Sequence, residues 1–224
     1  MKLLYWLLLS AVPLFSQPFS FGIKGGVPFT DFLNATSAGG FAPFTSFVST
    51  TNRYIIGPAA ELRLPFGLGV ELDALYRHFN YTASGFLVDV TYNSSTTGSA
   101  WEFPLMAKYR FRAKIIRPYV DAGVALDWLS RKQNILPGGL TQTITQLVVP
   151  THVTTTTSSS TPIELQHNTV TGFVTGVGVD IHVLLLHVSP EIRYTRWGAQ
   201  HFLSLNGGLS SDQNQAEFLL GVTF

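Results

Sequence analysis

The chain lacks cysteine altogether and has few charged residues. None of its 224 residues is cysteine, which excludes disulfides, thiolate metal sites and cysteine nucleophiles. Only 12% are charged, whereas soluble domains typically have about 25%. Fourteen Lys and Arg against thirteen Asp and Glu leave a net charge of +1, so the charge balance gives no reason to expect nucleic acid as a partner. The 46% of apolar residues is too much for a disordered chain.

The N-terminal segment has the pattern of a secretory signal peptide. Lys2 supplies a positive charge, residues 3–15 form an apolar stretch, and Ser16 and Gln17 follow it. This stretch is short for a membrane-spanning helix. We therefore predict a signal peptide at 1–16 and a mature domain at 17–224, with an uncleaved N-terminal anchor as the alternative.

No later segment is a convincing transmembrane helix. The best candidate, 170–188, contains Asp180, two histidines and three glycines, and it is rich in β-branched residues. Gly172 and Gly176 have the spacing of a helix-dimerisation motif. Among β-branched residues such glycines are more typical of close packing or bends in a strand. If the mature protein lies in a membrane, it crosses with strands.

The rest of the chain is dominated by segments in which charged and apolar residues alternate. In the window 69–77, charges at Glu71, Asp73 and Arg77 leave only Val, Leu, Ala and Tyr on the opposite parity. This period of two is typical of a strand with two different faces. Four further windows keep their charges on one parity, with Arg196 as the exception. The eight predicted strands are 19–28, 54–64, 69–77, 101–111, 119–129, 168–183, 188–197 and 214–224.

The connections between these strands alternate in length. The short connections are 65–67, 112–118 and 184–187, and the long ones are 29–53, 81–98, 130–167 and 198–213. Short turns on one side and long loops on the other are typical of an up-and-down barrel of the bacterial outer membrane, whereas a Greek-key sandwich does not require that order. The predicted fold is all-β, an eight-stranded antiparallel up-and-down transmembrane β-barrel. Ten strands result if 130–167 is split, and 142–149 with 151–157 could equally form a strand extension above the membrane.

Alternation alone does not decide which face of the barrel is wet. A lipocalin-like soluble barrel buries its apolar face, and a membrane barrel does the reverse. Here the charged face is poor in the Lys, Glu and Gln of a solvated surface, and Gly and Ala fill it between nearly balanced charges. Aromatic residues gather near strand ends, where a membrane-interface girdle lies; they are Phe66, Tyr76, Trp101, Tyr109, Phe111, Trp128, Tyr194 and Trp197. These features favour the membrane barrel over the soluble one.

In a membrane barrel the alternating charges point into the lumen. Eight strands leave an interior just wide enough for side chains to fill, and an unpaired buried charge is costly. We therefore predict a network of paired acids and bases that acts as a polar plug. Its members are Lys24, Glu61, Arg63, Glu71, Asp73, Arg77, Glu102, Lys108, Arg110, Asp121, Asp127, Asp180, Glu191, Arg193 and Glu217. The alternative is a narrow path for ions or solutes lined by Glu71, Asp73, Arg77, Glu102 and Arg110.

The two ends of the mature chain carry a resemblance to a known family. The last residues, EFLLGVTF at 217–224, place apolar side chains on alternate positions and end in phenylalanine. They resemble the C-terminal assembly signal of bacterial outer-membrane β-barrels, although Leu219 stands where glycine is common and Val222 where an aromatic is common. FGIKGGVP at 21–28 resembles the first strand of small porin-family or opacity-like proteins, and WEFP at 101–104 and RPYV at 117–120 resemble their middle strands. The resemblance implies that Phe218, Leu220, Val222 and Phe224 are read by the barrel-insertion machinery.

Side-chain patterns give little support to catalysis. His187, Ser189 and Glu191 resemble the His-x-Ser pairing and glutamate of lipid A deacylases, but the predicted topology puts them at a short turn, away from the outer leaflet. The six histidines show no metal-ligand spacing, and no glycine-rich loop precedes a helix that would hold phosphate. We expect no enzymatic activity, no cofactor and no metal.

The long loops carry the remaining candidate functions. The loop 29–53 contains Phe32, Phe41, Phe44 and Phe47, which we expect to fold over the barrel mouth or to contact a partner or lipid head groups. The loop 130–167 contains a Thr and Ser run that lacks apolar mass for a core. Loops concentrated on one side favour binding or adhesion, although one fold hosts many functions.

The sequence thus predicts a non-enzymatic outer-membrane protein with a structural or surface-interaction role. Its expected partners are outer-membrane lipid and lipopolysaccharide, the barrel-insertion machinery during assembly, and an extracellular ligand at the loops; no nucleic acid is expected, and the protein is expected to be a monomer. A narrow channel is the first alternative, and an outer-leaflet lipid-modifying enzyme is the second.

Overall fold

A computed structural model of the chain describes residues 19–35, 46–49, 53–87, 90–113, 116–136, 142–144, 151–153, 157–159, 165–183, 186–203 and 208–224. The predicted signal peptide at 1–16 lies outside these ranges. Within them the chain forms strands and one short 3₁₀ turn, Pro65–Gly67, without an α-helix. No helix in the described part of the chain is long and apolar enough to cross a membrane.

The strands are named β1 to β15 in chain order. They are β1 (Phe19–Pro28), β2 (Leu33–Ala35), β3 (Ser46–Ser49), β4 (Ile55–Arg63), β5 (Leu68–Asp73), β6 (Leu75–Leu87), β7 (Val90–Arg110), β8 (Ile116–Leu136), β9 (Gln142–Ile144), β10 (Thr151–Val153), β11 (Thr157–Ser159), β12 (Thr169–Val183), β13 (Leu186–Trp197), β14 (Leu209–Ser211) and β15 (Asn214–Thr223).

The main sheet closes on itself into an antiparallel barrel of eight strands. Each wall strand pairs with its neighbour in the chain, and β1 closes the barrel because it pairs with β4 on one side and β15 on the other. Strands β5 and β6 form one wall strand, in which the ladder is interrupted at Ala74 while the alternation of inward and outward side chains continues. The prediction of an eight-stranded up-and-down barrel is therefore confirmed, and the window 69–77 spans the interruption.

The two ends of the barrel differ in the connections they carry. At the end that we call the turn end, Pro65–Gly67 links β4 to β5, and Phe111 N–H donates to the Pro118 carbonyl to close the next turn at 2.9 Å. Phe19 and Phe224 also lie at this end. The opposite end, which we call the loop end, carries the longer connections. This division agrees with the alternation of connection lengths in the sequence.

One of the predicted long loops is a β-hairpin. The loop expected at 81–98 instead continues the strands β6 and β7, which pair in register from Leu75 opposite Glu102 to Leu87 opposite Val90. Its polar residues are compatible with strand structure, because β-branched Thr and aromatic Tyr both favour extended backbone. In the loop 130–167, β8 runs to Leu136 and pairs with β11, and β9 pairs with β10. The extra strands thus extend the loop end and do not enlarge the barrel.

The outward face of the barrel is apolar. Large apolar side chains such as Ile23, Leu72, Val124 and Phe173 are exposed along it. Soluble monomers rarely expose contiguous apolar patches larger than a few hundred Å², so this surface is matched to lipid and not to water. Trp197 is the exception to the predicted aromatic girdle: it is 4% exposed and packs inside the barrel with Met106 and Val174, because it shares the inward parity of Glu191 and Arg193.

A hydrophobic cap closes the loop end. It consists of Phe32, Leu33, Phe47, Phe202 and Leu209, which pack on inward-facing side chains of β6, β7 and β8. Strands β2 and β14 pair to form part of it. Ring centroids of Phe79 lie 5.3 Å from Phe32 and 5.4 Å from Phe202, distances typical of favourable aromatic pairs. Phe32 and Phe47 therefore fold over the mouth, while Phe41 and Phe44 lie outside the described residues.

Candidate functional site

The inward face of the barrel holds most of the charge of the molecule. Of the fifteen charged residues that sequence alternation assigns to the lumen, fourteen are buried and Arg63 is half-buried. Every one of the eight wall strands contributes at least one of them, because each strand puts alternate residues inside. The charges meet in three groups along the barrel axis, at the centre, near the loop end and at the turn end.

The central group joins strands that are far apart in the chain. Lys24 on β1 contacts Glu71, lies 3.2 Å from Asp73, and lies 3.0 Å from Glu191. Arg193 donates from Nε to Glu191 Oε1 at 2.7 Å and from Nη2 to Asp73 Oδ2 at 2.9 Å. The two cations Lys24 and Arg193 are thus shared by three carboxylates. Lys108 is the third cation of the group and contacts Glu71. The charges of this group balance, which limits the cost of burying them.

Asp121 and Tyr119 border the central group. Tyr119 donates its hydroxyl to Glu191 Oε2 at 3.1 Å, and its ring lies under Lys108, whose Nζ is 4.2 Å from the ring centroid. Asp121 is buried close to Gly176, where a Cβ would come within 2.4 Å of Asp121 Oδ1. The missing side chain at Gly176 leaves room for Asp121 and for Glu191, whose Oε1 would lie 3.1 Å from the same Cβ.

The group near the loop end is centred on Arg77. Arg77 contacts Glu102, donates from Nη1 to Gln215 Oε1 at 2.7 Å, and lies 3.9 Å from Asp127 and 4.0 Å from Glu217. The guanidinium also lies 5.2 Å from the centroid of the Phe32 ring. It thereby connects the charged interior to the hydrophobic cap. A second contact with the cap segment is made by Asp127, whose Oδ2 lies 3.2 Å from His201 Nε2.

The group at the turn end is built around Arg110. Arg110 contacts Glu61 and donates from Nε to Asp180 Oδ2 at 3.0 Å. His187 Nδ1 lies 3.1 Å from the other oxygen of Asp180, and His187 Nε2 lies 3.1 Å from Arg63 Nη1. The two ring nitrogens of His187 are therefore both occupied.

The residues with a catalytic resemblance do not form a catalytic set. His187 faces Asp180 and Arg63, whereas Glu191 belongs to the central group with Lys24 and Arg193. A general base must lie within hydrogen-bond reach of the group it activates, and no contact joins His187 to Glu191 in the described structure. Within the described ranges, no group of three or more His, Asp or Glu residues is placed to hold a metal ion.

Sequence analysis missed several uncharged partners of the network. Tyr119, Gln215 and His201 contact its acids or Arg77, and Ser20 accepts a hydrogen bond from Arg63 at 3.3 Å. Tyr119 and Gln215 have the same parity as Asp121 and Glu217, so alternation was sufficient to find them. His201 lies in a loop, where no periodicity applies.

The interior is filled by these side chains. Two small cavities of about 10 Å³ each lie beside it, one against Lys24, Glu61 and Glu71 and one beneath Phe32 and Arg77. A volume of this size is roughly what one water needs. The hydrophobic cap packs above these groups, with the Phe32 ring 5.2 Å from the Arg77 guanidinium.

Comparison with known proteins gives a family match. A family model described as an outer membrane protein beta-barrel domain matches residues 15–198. No curated protein matches the chain.

Three solved structures are similar over nearly the whole chain. Neisserial surface protein A is 13% identical, with 92% of this chain and 96% of that chain covered and a TM-score of 0.41. The N-terminal beta-barrel domain of Pseudomonas aeruginosa OprF is 14% identical, with 93% and 98% covered and a TM-score of 0.35. The outer membrane protein OprG from the same bacterium is 13% identical, with 92% and 94% covered and a TM-score of 0.48.

Proposed function

This chain belongs to the outer membrane protein beta-barrel domain family, and we propose that it is a non-enzymatic, closed barrel whose charged interior cross-links the wall and whose loop end is an interaction surface. The observation that carries this proposal is the network itself: all eight wall strands contribute charged side chains to it. Such a network stabilises a barrel, but it leaves little room for transport.

The cap supports the surface-interaction role. Because Phe32, Phe202 and Leu209 are anchored in the upper barrel, the segments that carry them are held against a rigid base. A loop held in one arrangement loses less entropy on binding than a free one. We propose that an extracellular ligand and lipopolysaccharide contact this loop end, and that the protein acts as a monomer.

The last strand supports a proposal about assembly. Phe218, Leu220, Val222 and Phe224 all point outward and are exposed, while Glu217 and Leu219 point inward. The alternate apolar side chains thus form one continuous outward face of β15. We propose that the barrel-insertion machinery reads them, after export directed by a signal peptide at 1–16.

Planar-bilayer conductance tests the closed barrel against the channel alternative. The purified protein, folded in detergent and inserted into planar bilayers, is expected to give no steady single-channel steps, because paired charges and the cap fill the path. Heat-dependent migration on an SDS gel serves as the control that the inserted sample is folded. Reproducible ohmic steps from heat-modifiable protein would contradict the proposal and favour a channel. No observation favours a lipid-modifying enzyme.

A further inference from the structure

A cavity of about 340 Å³ opens at the turn end of the barrel, away from the cap. Four arginines, Arg63, Arg110, Arg112 and Arg117, line its wall. They come from the ends of β4, β7 and β8 and from the turn that joins β7 to β8. Guanidinium groups from three wall strands and one turn therefore line one opening, in which Leu68 of β5 lies between β4 and β7.

These arginines outnumber the carboxylates near them. Glu61 and Asp180 are both engaged by Arg110, and Asp180 is also engaged by His187. None of the ion pairs within the described residues includes Arg112 or Arg117, and Arg63 lies no closer than 3.9 Å to Glu61. Four cations against two anions leave the cavity with an excess of positive charge, which favours an anionic ligand.

Two of the arginines are held in place by other contacts. Arg117 donates from Nε to the carbonyl oxygen of Ala113 at 3.2 Å, across its own turn. Arg63 contacts His187 at 3.1 Å and Ser20 at 3.3 Å. A guanidinium held in this way still presents free N–H donors, and its planar fork matches phosphate geometry.

The remaining wall of the cavity is apolar and belongs to the outer surface of the barrel. Leu64, Leu68 and Phe111 line it, and all three side chains are exposed toward the surroundings of the barrel. Gly67, which has a φ of +85°, forms the base of the turn beside them. The cavity thus has a cationic side toward the mouth and an apolar side toward the membrane.

We propose that this cavity binds the phosphate group of a phospholipid from the leaflet at the turn end, with its acyl chains along Leu64, Leu68 and Phe111. Arg112 and Arg117 supply the charge that the barrel leaves unpaired, and Arg63 completes the phosphate contacts. Such a lipid anchors the turn end at the membrane surface. The inference rests on the membrane barrel proposed above.

Native mass spectrometry of the folded protein tests this site. The protein in an uncharged detergent is titrated with phosphatidylglycerol, with diacylglycerol of the same chains, and with inorganic phosphate. The test variant is R112Q/R117Q. The matched control is R53Q/R196Q, which removes the same charge from exposed arginines at the loop end. The heat-dependent shift on an SDS gel is measured for every sample, so a failure of the barrel is recognised separately from a failure of the site.

Wild type is expected to retain one phosphatidylglycerol and no diacylglycerol. R112Q/R117Q is expected to bind it at least tenfold more weakly, while R53Q/R196Q stays within twofold of wild type. Millimolar inorganic phosphate is expected to compete only weakly. Equal losses in both double variants would show general attraction to positive charge and overturn the proposal. Retention of diacylglycerol would also overturn the proposal, because it would show that the phosphate group is not needed for binding. Displacement of the lipid by inorganic phosphate at equal concentration would overturn it as well, because it would show that the acyl chains do not contribute.

Discussion

Arg77 illustrates how much a single residue contributes to the interior. It lies among Glu102, Asp127 and Glu217, all of which are almost completely buried. Removing the cation would leave these carboxylates to repel one another in a medium that solvates them poorly. The loss of Arg77 alone is therefore costly, even though the intact ion pairs add little net stability relative to a well-packed apolar core.

Replacing Arg77 by Met is expected to lower the free energy of unfolding by about 3–5 kcal/mol, the usual cost of breaking a buried ion pair by removing one partner. The matched control is Arg53→Met, since Arg53 is 73% exposed and lies 3.3 Å from the exposed Asp31. Its loss is expected to stay below about 1 kcal/mol. The measurement is urea unfolding in lipid vesicles; equal stability of Arg77→Met and wild type would refute the cross-linking role.

Neighbouring glycines in β1 have different constraints. A Cβ at Gly26 would lie 1.9 Å from the carbonyl oxygen of Phe218 on β15, whereas the nearest atom to a Cβ at Gly25 lies at 3.4 Å. Gly26 is thus required by the close approach of β1 and β15 where the barrel closes. Gly25 is not.

Ala at Gly26 is expected to destabilise the barrel by about 1–3 kcal/mol, as other overpacking substitutions do. Gly25→Ala is the control and is expected to change stability by no more than about 0.5 kcal/mol, as for a surface substitution. Thermal unfolding of both variants in the same detergent compares them directly. Similar melting temperatures for the two would mean that the strands separate enough to admit a methyl group.

At the scale of elements, the cap is the feature that distinguishes this barrel from a bare cylinder of strands. Phe202 is fully buried between Phe79 and Tyr81, with ring centroids 5.4 and 5.8 Å away. The adjacent Leu203 is 43% exposed. The two residues share a backbone segment but contribute very differently to the packing.

Phe202→Ala is expected to release the cap, because truncating a buried Phe typically costs about 3–5 kcal/mol and a loop has few other contacts to compensate. Limited proteolysis is expected to cleave 198–213 at least tenfold faster than in wild type, while the SDS heat shift of the barrel persists. Leu203→Ala serves as the control and should be cleaved at the wild-type rate. Unchanged cleavage of Phe202→Ala would show that the strand pair β2–β14 alone holds the cap.

At the scale of the whole molecule, the barrel has two chemically different ends. The cap and the extended hairpin mark the loop end, and the arginine-lined cavity marks the turn end. Outer-membrane barrels carry short turns on the periplasmic side and longer loops outside. The family membership of the chain therefore implies one orientation in the membrane.

The absence of cysteine makes this orientation easy to measure. Gln166→Cys places one thiol on the exposed loop end and Ala113→Cys places one at the exposed turn end. In intact cells a membrane-impermeant maleimide is expected to label the first and not the second, and lysed cells should label both. The reverse pattern would invert the orientation, and labelling of neither site in lysed cells would indicate that the thiols are buried.

The sequence by itself determined the eight wall strands, the order of turns and loops, and which residues share a face, because alternation and connection length are local properties. Whether 130–167 adds two strands to the wall stayed open until the structure placed β9, β10 and β11 beyond the barrel. The inward positions of Tyr119 and Trp197 follow from the same parity as the charges. The prediction that Trp197 belongs to the aromatic girdle is wrong, because that parity places it inside the barrel. The hairpin at 81–98 was missed because Asp89 is its one charged residue, so no alternation of charged and apolar residues marks its strands.

Only the tertiary structure decided which charges meet and what closes the mouth. Lys24 and Glu191 are 167 positions apart, and their contact depends on the register and closure of every strand between them. His201 and Phe202 come from a loop, so their burial depends on how that segment folds over the barrel. The arginine-lined cavity likewise exists only because the barrel brings the ends of β4, β5, β7 and β8 together at the turn end. Alternation specifies a face, but contacts across a lumen are set by the barrel as a whole.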